Sequence, residues 1–233
     1  MLQYKTKRGD TMGYRLDGKD VDIVGKRMTK IGTGTTGDVY RYKNKALKIF
    51  KKGTIPPMNL ETAKYLSNIS TTNIILPENL LFYNDSFRGY TYKLVSKKGL
   101  GKRMITLPKE ELIDNIENIE IDTEILSNKN VLLNGIDPSN SIFNGSIYLC
   151  DPSKYSILDI MSNKELEKLN KYQIYMLLST MLLSELRKNN LGGSSERKMK
   201  SLLELKDMDE DASVYFDRLL QNSDNVKQFV KKM

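Results

Sequence analysis

Short runs bearing valine, isoleucine and tyrosine, separated by glycine or Lys-Asn turns, fill residues 1–50 and predict strands. The runs are YKTKRG, DVDIV, RMTKIG, GDVYRYK and KALKIF. Tyr42-Lys43-Asn44-Lys45 has the make-up of a tight hairpin turn. Pro56-Pro57 breaks this pattern. Asn59 then predicts the N-cap of a helix that carries Leu60, Ala63, Leu66 and Ile69 at helical spacing. ENLLFYND and RGYTYKLV predict two further strands, and SKKGLGKRM is a glycine- and lysine-rich connection where a boundary between two domains is expected.

The period changes beyond that connection. Residues 108–129 predict a helix, and VLLNGIDPSNSIFNGSIYLCDPSKY predicts strand, loop and strand. A long helix is expected from Lys164 to about Asn189, closed by Gly192-Gly193. Its middle, MLLSTMLLSEL, is apolar on most faces and is expected in the core of the second domain. Two more helices are expected near 195–206 and 211–231. The order gives an α+β fold class, with a β-rich first half holding one helix and a helical second half.

Composition narrows the class. A chain of 233 residues with 39% apolar and 28% charged residues has the make-up of a globular protein that buries a core. One cysteine, Cys150, excludes an internal disulfide framework. The start is polar and the longest apolar run, 176–186, is broken by Ser179, Thr180, Ser184 and Glu185. A membrane span needs about 20 residues, so a cytoplasmic protein with no membrane partner is expected. The net charge of +8 raises the question of nucleic acid. The lysines are scattered and no RNP-type or zinc-knuckle motif accompanies them, which argues against that partner. The absence of histidine excludes Ser-His-Asp and Cys-His chemistry and histidine metal sites. Acid–base or metal chemistry must then use carboxylates, amides, lysine or tyrosine, and oxygen ligands favour Mg²⁺ or Mn²⁺.

The candidate chemistry begins at Gly32, Gly34 and Gly37, a G-x-G-x-x-G followed by Asp38, Val39 and Tyr40. A Rossmann turn would open a helix, whereas this one opens a strand. Such a turn between strands can lie over phosphates with its amides facing the ligand; it can also be an ordinary glycine hairpin. Lys48 then stands in an apolar strand, where a half-buried ammonium is costly unless anions meet it. Glu61 on the next helix is the expected carboxylate partner. The competing readings are an edge-strand lysine reaching water and a solvated helix glutamate.

These residues, in this order, resemble the protein-kinase-like superfamily, whose pattern is G-x-G-x-x-G-x-V, then A-I-K, then a glutamate on the first helix. Here they stand as Gly32 to Val39, Ala46-Leu47-Lys48 and Glu61. The family's H-R-D-L-x-x-x-N loop is matched by Leu133-Asn134-Gly135-Ile136-Asp137-Pro138-Ser139-Asn140, and its D-F-G by Asp151-Pro152-Ser153. The resemblance covers about 25–160. It implies a bilobal fold, with a small N-lobe (1–98) of antiparallel sheet and one helix and a compact, mostly helical C-lobe (99–233). ATP would lie in the cleft, adenine against 94–99 and phosphates under 32–37. Lys48, oriented by Glu61, would hold the α- and β-phosphates, and Asn140 and Asp151 would bind Mg²⁺.

The departures decide the activity expected. Gly135 occupies the place of the catalytic aspartate, Pro152 and Ser153 replace the phenylalanine and glycine, and no A-P-E follows. One reading keeps transfer of the γ-phosphate to a Ser/Thr or small-molecule hydroxyl, with Asp137 as displaced base. Asp137 can equally be a metal ligand or a turn residue in Asp-Pro-Ser-Asn. The other reading is a pseudokinase, a nucleotide-binding module read by a protein partner.

Overall fold

A computed structural model describes residues 13–21, 28–53, 55–96, 104–136, 138–188 and 193–232. Among these residues the protein is α+β, with one seven-stranded antiparallel sheet, two two-stranded sheets and six α-helices. The chain divides into two compact units. One comprises Met1–Ser70 with Leu76–Leu94, the other Thr71–Ile75 with Val95–Met233. No described helix is long and apolar enough to cross a membrane.

The first unit holds the large sheet. Its strands are β1 (Tyr14–Leu16), β2 (Lys19–Val21), β3 (Thr29–Thr33), β4 (Gly37–Tyr42), β5 (Lys45–Phe50), β6 (Asn79–Tyr83) and β7 (Ser86–Lys93), in the order β2-β1-β6-β7-β5-β4-β3. Strand alternation splits β5 between two faces. Leu47 packs with Leu81, Tyr14, Leu16, Val21, Met28, Tyr42 and Ile49 on one side. Ala46, Lys48 and Phe50 take the other, where Phe50 meets Phe87 and Tyr90 edge-on at 5.3 and 5.9 Å. Helix α1 (Leu60–Leu66) starts at the expected cap: the Asn59 side chain accepts from Thr62 N at 2.7 Å.

Strand β1 was not expected from the pattern. Its signal is Asp17-Gly18, whose φ values of 47° and 75° make a two-residue hairpin turn between β1 and β2. The run YKTKRG, the end of DVDIV and most of the SKKGLGKRM connection lie outside the described residues.

The second unit is mainly helical. Its helices are α2 (Lys109–Ser127), α3 (Asn163–Lys188), α4 (Ser194–Leu203), α5 (Ala212–Leu219) and α6 (Val226–Lys232). The long α3 carries the apolar run as expected, burying Leu166, Ile174, Leu177, Leu178, Leu182 and Leu186, and it packs on α2, α4 and α5. The single helix expected near 211–231 is in fact two, α5 and α6. Asn222-Ser223-Asp224-Asn225 interrupts it: Asn225 Oδ1 accepts from Gln228 N at 2.9 Å and starts α6, while Asp224 O takes Lys109 N at 2.7 Å.

Four short strands complete this unit. β8 (Val131–Leu132) pairs with β11 (Ser156–Ile157), and β9 (Ser141–Phe143) with β10 (Ile147–Leu149). Segment Thr71–Ile75 runs beside β10 through a parallel bridge, Ile74 to Leu149. The buried Asp122 carboxylate holds that segment by accepting from three backbone amides, Thr72 N at 3.0 Å, Asn73 N at 2.6 Å and Ile74 N at 2.8 Å. Charged acceptors of this kind bond about twice as strongly as neutral ones.

Candidate functional site

In the first unit the register aligns Gly32, Val39, Lys48 and Tyr90 side by side across β3, β4, β5 and β7. Partners directly opposite in a ladder share a face, so Val39 and Lys48 lie together. Lys48 is 3% exposed, which answers the edge-strand reading: this lysine does not reach out to water. The turn between β3 and β4 is closed by Gly34 N donating to Gly37 O at 2.8 Å, and Lys51 N donates to Thr36 O at 3.1 Å. Gly37 is fixed by crowding, because a Cβ there would stand 2.6 Å from Ile49 O. Beside it, Lys30 donates to Asp38 at 2.7 Å; this bond holds the Asp38 carboxyl below the usual range and raises Lys30.

Glu61 is a correction. Its side chain is 81% exposed and its carboxylate accepts from Lys64 at 3.1 Å on the same helix. It is not brought to the buried Lys48. The helix buries Ala63 and Leu66. Glu61 precedes Ala63 by two residues, about 200° around a helix of 3.6 residues per turn, so it faces away from the packed side.

In the second unit the β9–β10 hairpin brings together two residues far apart in the loop sequence. Asn140 ends a 3-10 turn, Pro138–Asn140, just before β9, and Asp151 follows β10. Cys150 N donates to Asn140 O at 2.8 Å and closes the neck between them. Asp151 has a left-handed backbone, φ 67° and ψ 70°, and accepts from Ser153 N at 3.4 Å. A non-glycine residue in this region costs about 1–2 kcal/mol. Aspartate tolerates this region better than most residues, and Asp17 and Asp85 adopt it in turns of this protein too. Asp137 lies outside the described residues.

The segment leading to this hairpin is anchored from α3. Asn170 is 0% exposed, accepts from Leu133 N at 2.9 Å, and donates to Val131 O at 2.8 Å and Ser127 Oγ at 2.9 Å. Asn134 Nδ2 donates to Ser156 Oγ at 3.0 Å. Asn115 Oδ1 accepts from Ile147 N at 2.7 Å, and Asn73 Nδ2 donates to Ile147 O at 2.8 Å, so β10 is held from two sides.

Gly135 is left-handed, with φ 65°, and a Cβ there would stand 2.3 Å from Lys154 Cδ. The place where the resemblance puts a catalytic carboxylate is therefore crossed by a lysine side chain.

Burial, and secondarily the Asp151 charge, push the Cys150 thiol up to about 12, which disfavours its thiolate. Elsewhere in the unit, burial pulls down on the Lys171 ammonium. Bonds to Glu167 (2.8 Å), Glu124 (2.9 Å) and Asp211 (3.1 Å) outweigh it and leave the group raised and charged.

The oxygen donors of Asn140 and Asp151 suit a hard divalent cation that keeps waters and takes phosphate oxygens for its remaining positions. Among the described residues no group of three or more Cys, Asp or Glu side chains could hold a metal alone. Asn170 and Lys154 were missed by sequence reading. Asn170 is a polar residue at a core position of an apolar helix, a signal present in the sequence; Lys154 had none. No protein-family model matches the chain, and no curated protein matches it.

Proposed function

We propose that this protein binds MgATP with a protein-kinase-like fold and transfers the γ-phosphoryl group to a hydroxyl of a protein Ser/Thr or a small molecule. The observation that carries the reading is the β9–β10 hairpin, which sets Asn140 and the left-handed Asp151 at one neck through the Cys150 N to Asn140 O bond of 2.8 Å. These two oxygen ligands would hold Mg²⁺. In the first unit, Lys48 in its row with Val39, and the turn ending at the crowded Gly37, are the residues for the nucleotide's phosphates. Glu61 is withdrawn from the set.

In the reaction the bond from the γ-phosphorus to the bridging oxygen breaks, a bond to the acceptor oxygen forms, and ADP leaves. The hydroxyl proton passes to a base, for which Asp137 is the candidate. Positioning and charge stabilisation supply most of the acceleration in such transfers. Mg²⁺ would neutralise charge on the phosphates.

A second reading, a pseudokinase acting as a nucleotide-binding interaction module, is favoured by Lys154 lying across Gly135. Intact mass after incubation with ATP and Mg²⁺ separates the two. Addition of one phosphate in the wild type, lost in Asp137→Asn, supports transfer and the base. Addition in both removes Asp137 from that role. Nucleotide binding without addition, in the presence of a panel of hydroxyl acceptors, favours the module.

A further inference from the structure

We propose that Lys154 is an anion-binding residue of the site in the second unit, its ammonium meeting the terminal phosphoryl group of a metal-bound nucleoside triphosphate. The inference rests on the MgATP reading above.

Its basis is the contact between Lys154 and Gly135. A Cβ at Gly135 would stand 2.3 Å from Lys154 Cδ, 3.2 Å from its Cβ and 3.3 Å from its Cε. The lysine stem therefore runs along a bare Cα, and any side chain at position 135 would displace it. Glycine is required there twice, for this clearance and for φ 65°.

Both sides of the contact are framed. On one, Leu133 N is bonded to Asn170, and Asn134 is tied through Nδ2 to Ser156 Oγ and through N to Leu132 O at 3.1 Å. On the other, Lys154 closes the 3-10 turn Pro152–Lys154, and Tyr155 N donates to Pro152 O at 3.0 Å. Two residues further on, Ser156 pairs with Leu132 in the β8–β11 ladder. The same ladder thus sets both the glycine and the lysine.

A lysine held in this way differs from an ordinary surface lysine. Its stem lies against Gly135 while its ammonium stays open to an anion. Lys154 is exposed and makes no ion pair among the described residues. It follows Asp151 by three residues, on the turn that Asp151 begins. Oxygen donors for a divalent cation and a framed ammonium on one short segment are complementary to a metal-bound phosphate, in which metal and ammonium share the negative charge. The terminal phosphoryl group carries the most negative charge of a triphosphate, so it is the group suited to an ammonium on the segment that bears Asp151.

The test is calorimetric titration of the whole chain with MgATP and with MgADP, at 0.15 M salt. The variants are Lys154→Met, which keeps the stem and removes the charge, and Lys154→Arg, which keeps the charge. Gly135→Ala is made in the wild-type and Lys154→Met backgrounds. Lys154→Met is expected to lose about tenfold in affinity for MgATP, the scale of one charge-assisted bond, with less than about twofold change for MgADP. Lys154→Arg keeps the preference for the triphosphate. Gly135→Ala reproduces the loss by pushing the lysine aside, and adds little once Lys154 is Met, because the two substitutions remove one interaction. If Gly135→Ala does not fold, the Met and Arg variants decide. An unchanged ratio of MgATP to MgADP affinity in Lys154→Met overturns the role of Lys154 while leaving nucleotide binding intact. A wild-type protein that binds neither nucleotide overturns the MgATP reading, and this inference with it.

Discussion

Asn170→Ala tests the anchor beneath the candidate site. The Asn170 side chain is fully buried and makes three hydrogen bonds, at 2.8, 2.9 and 2.9 Å. The three losses are not equal. Ser127 Oγ keeps a partner, since it donates to Thr123 O at 2.7 Å, so breaking its bond to Asn170 is the smallest part. Leu133 N–H is different: its acceptor disappears in a buried place, and an unsatisfied buried donor costs about 1–3 kcal/mol. Val131 O loses one donor. With about 1 kcal/mol for an ordinary bond, the total comes to about 2–4 kcal/mol. For a urea slope of about 2 kcal/mol/M, the unfolding midpoint should fall by about 1–2 M at an unchanged slope. Equilibrium urea denaturation followed by far-UV circular dichroism reads this directly. Asn170→Asp refines the test. Its carboxylate still accepts from Leu133 N but cannot donate to Val131 O, whereas its protonated form can. A buried acid of this kind has a raised folded pKa, so its stability should be greatest at low pH and decline as pH rises. A midpoint shift below about 0.3 M in Asn170→Ala would refute the view that this carboxamide anchors the loop.

Three further outcomes follow from other places in the fold. Gly37→Ala would force a Cβ to 2.6 Å from Ile49 O within paired strands; overpacking predicts a loss of about 1–3 kcal/mol, read by thermal melting. Ser223 Oγ is buried and has no hydrogen-bond partner among the described residues, so Ser223→Ala should leave stability unchanged or raise it by up to about 1 kcal/mol in the same assay. Glu120 is buried, and its desolvation raises the carboxyl above its ordinary 4.5 despite bonds from Ser213 and Ala212. Between that value and its raised folded value the native state holds more proton than the unfolded chain. Its contribution is therefore full below about pH 4.5 and is lost as pH rises through the folded value. The stability of wild type minus that of Glu120→Gln should fall from pH 4 to pH 7 in urea titrations.

Much of the fold was legible in the chain because its signals are local. Asn59 caps α1 as read, the apolar middle of α3 is buried, and the strands KALKIF and GDVYRYK pair as neighbours. The Asp17-Gly18 hairpin has an equally local signal, a dipeptide suited to a two-residue turn. The split between α5 and α6 was signalled by four consecutive polar cap-formers. Each of these depends on a residue and its neighbours within a turn or two, where spacing alone fixes the geometry.

The sequence by itself determined the element types, the glycine turn before Val39, the place of Lys48 in an apolar strand, and the candidacy of Asn140 and Asp151 as oxygen donors. Tertiary structure alone decided which of the candidates meet. The rotation of a seven-residue helix, set by the burial of Ala63 and Leu66, turned Glu61 outward. Strand pairing 24 residues apart, Leu132 with Ser156, laid Lys154 over Gly135, and an amide on α3 fixed the loop between them. Periodicity says which face of an element is apolar, but a charged side chain's partner depends on how that face is rotated onto the rest of the core, and packing sets that rotation.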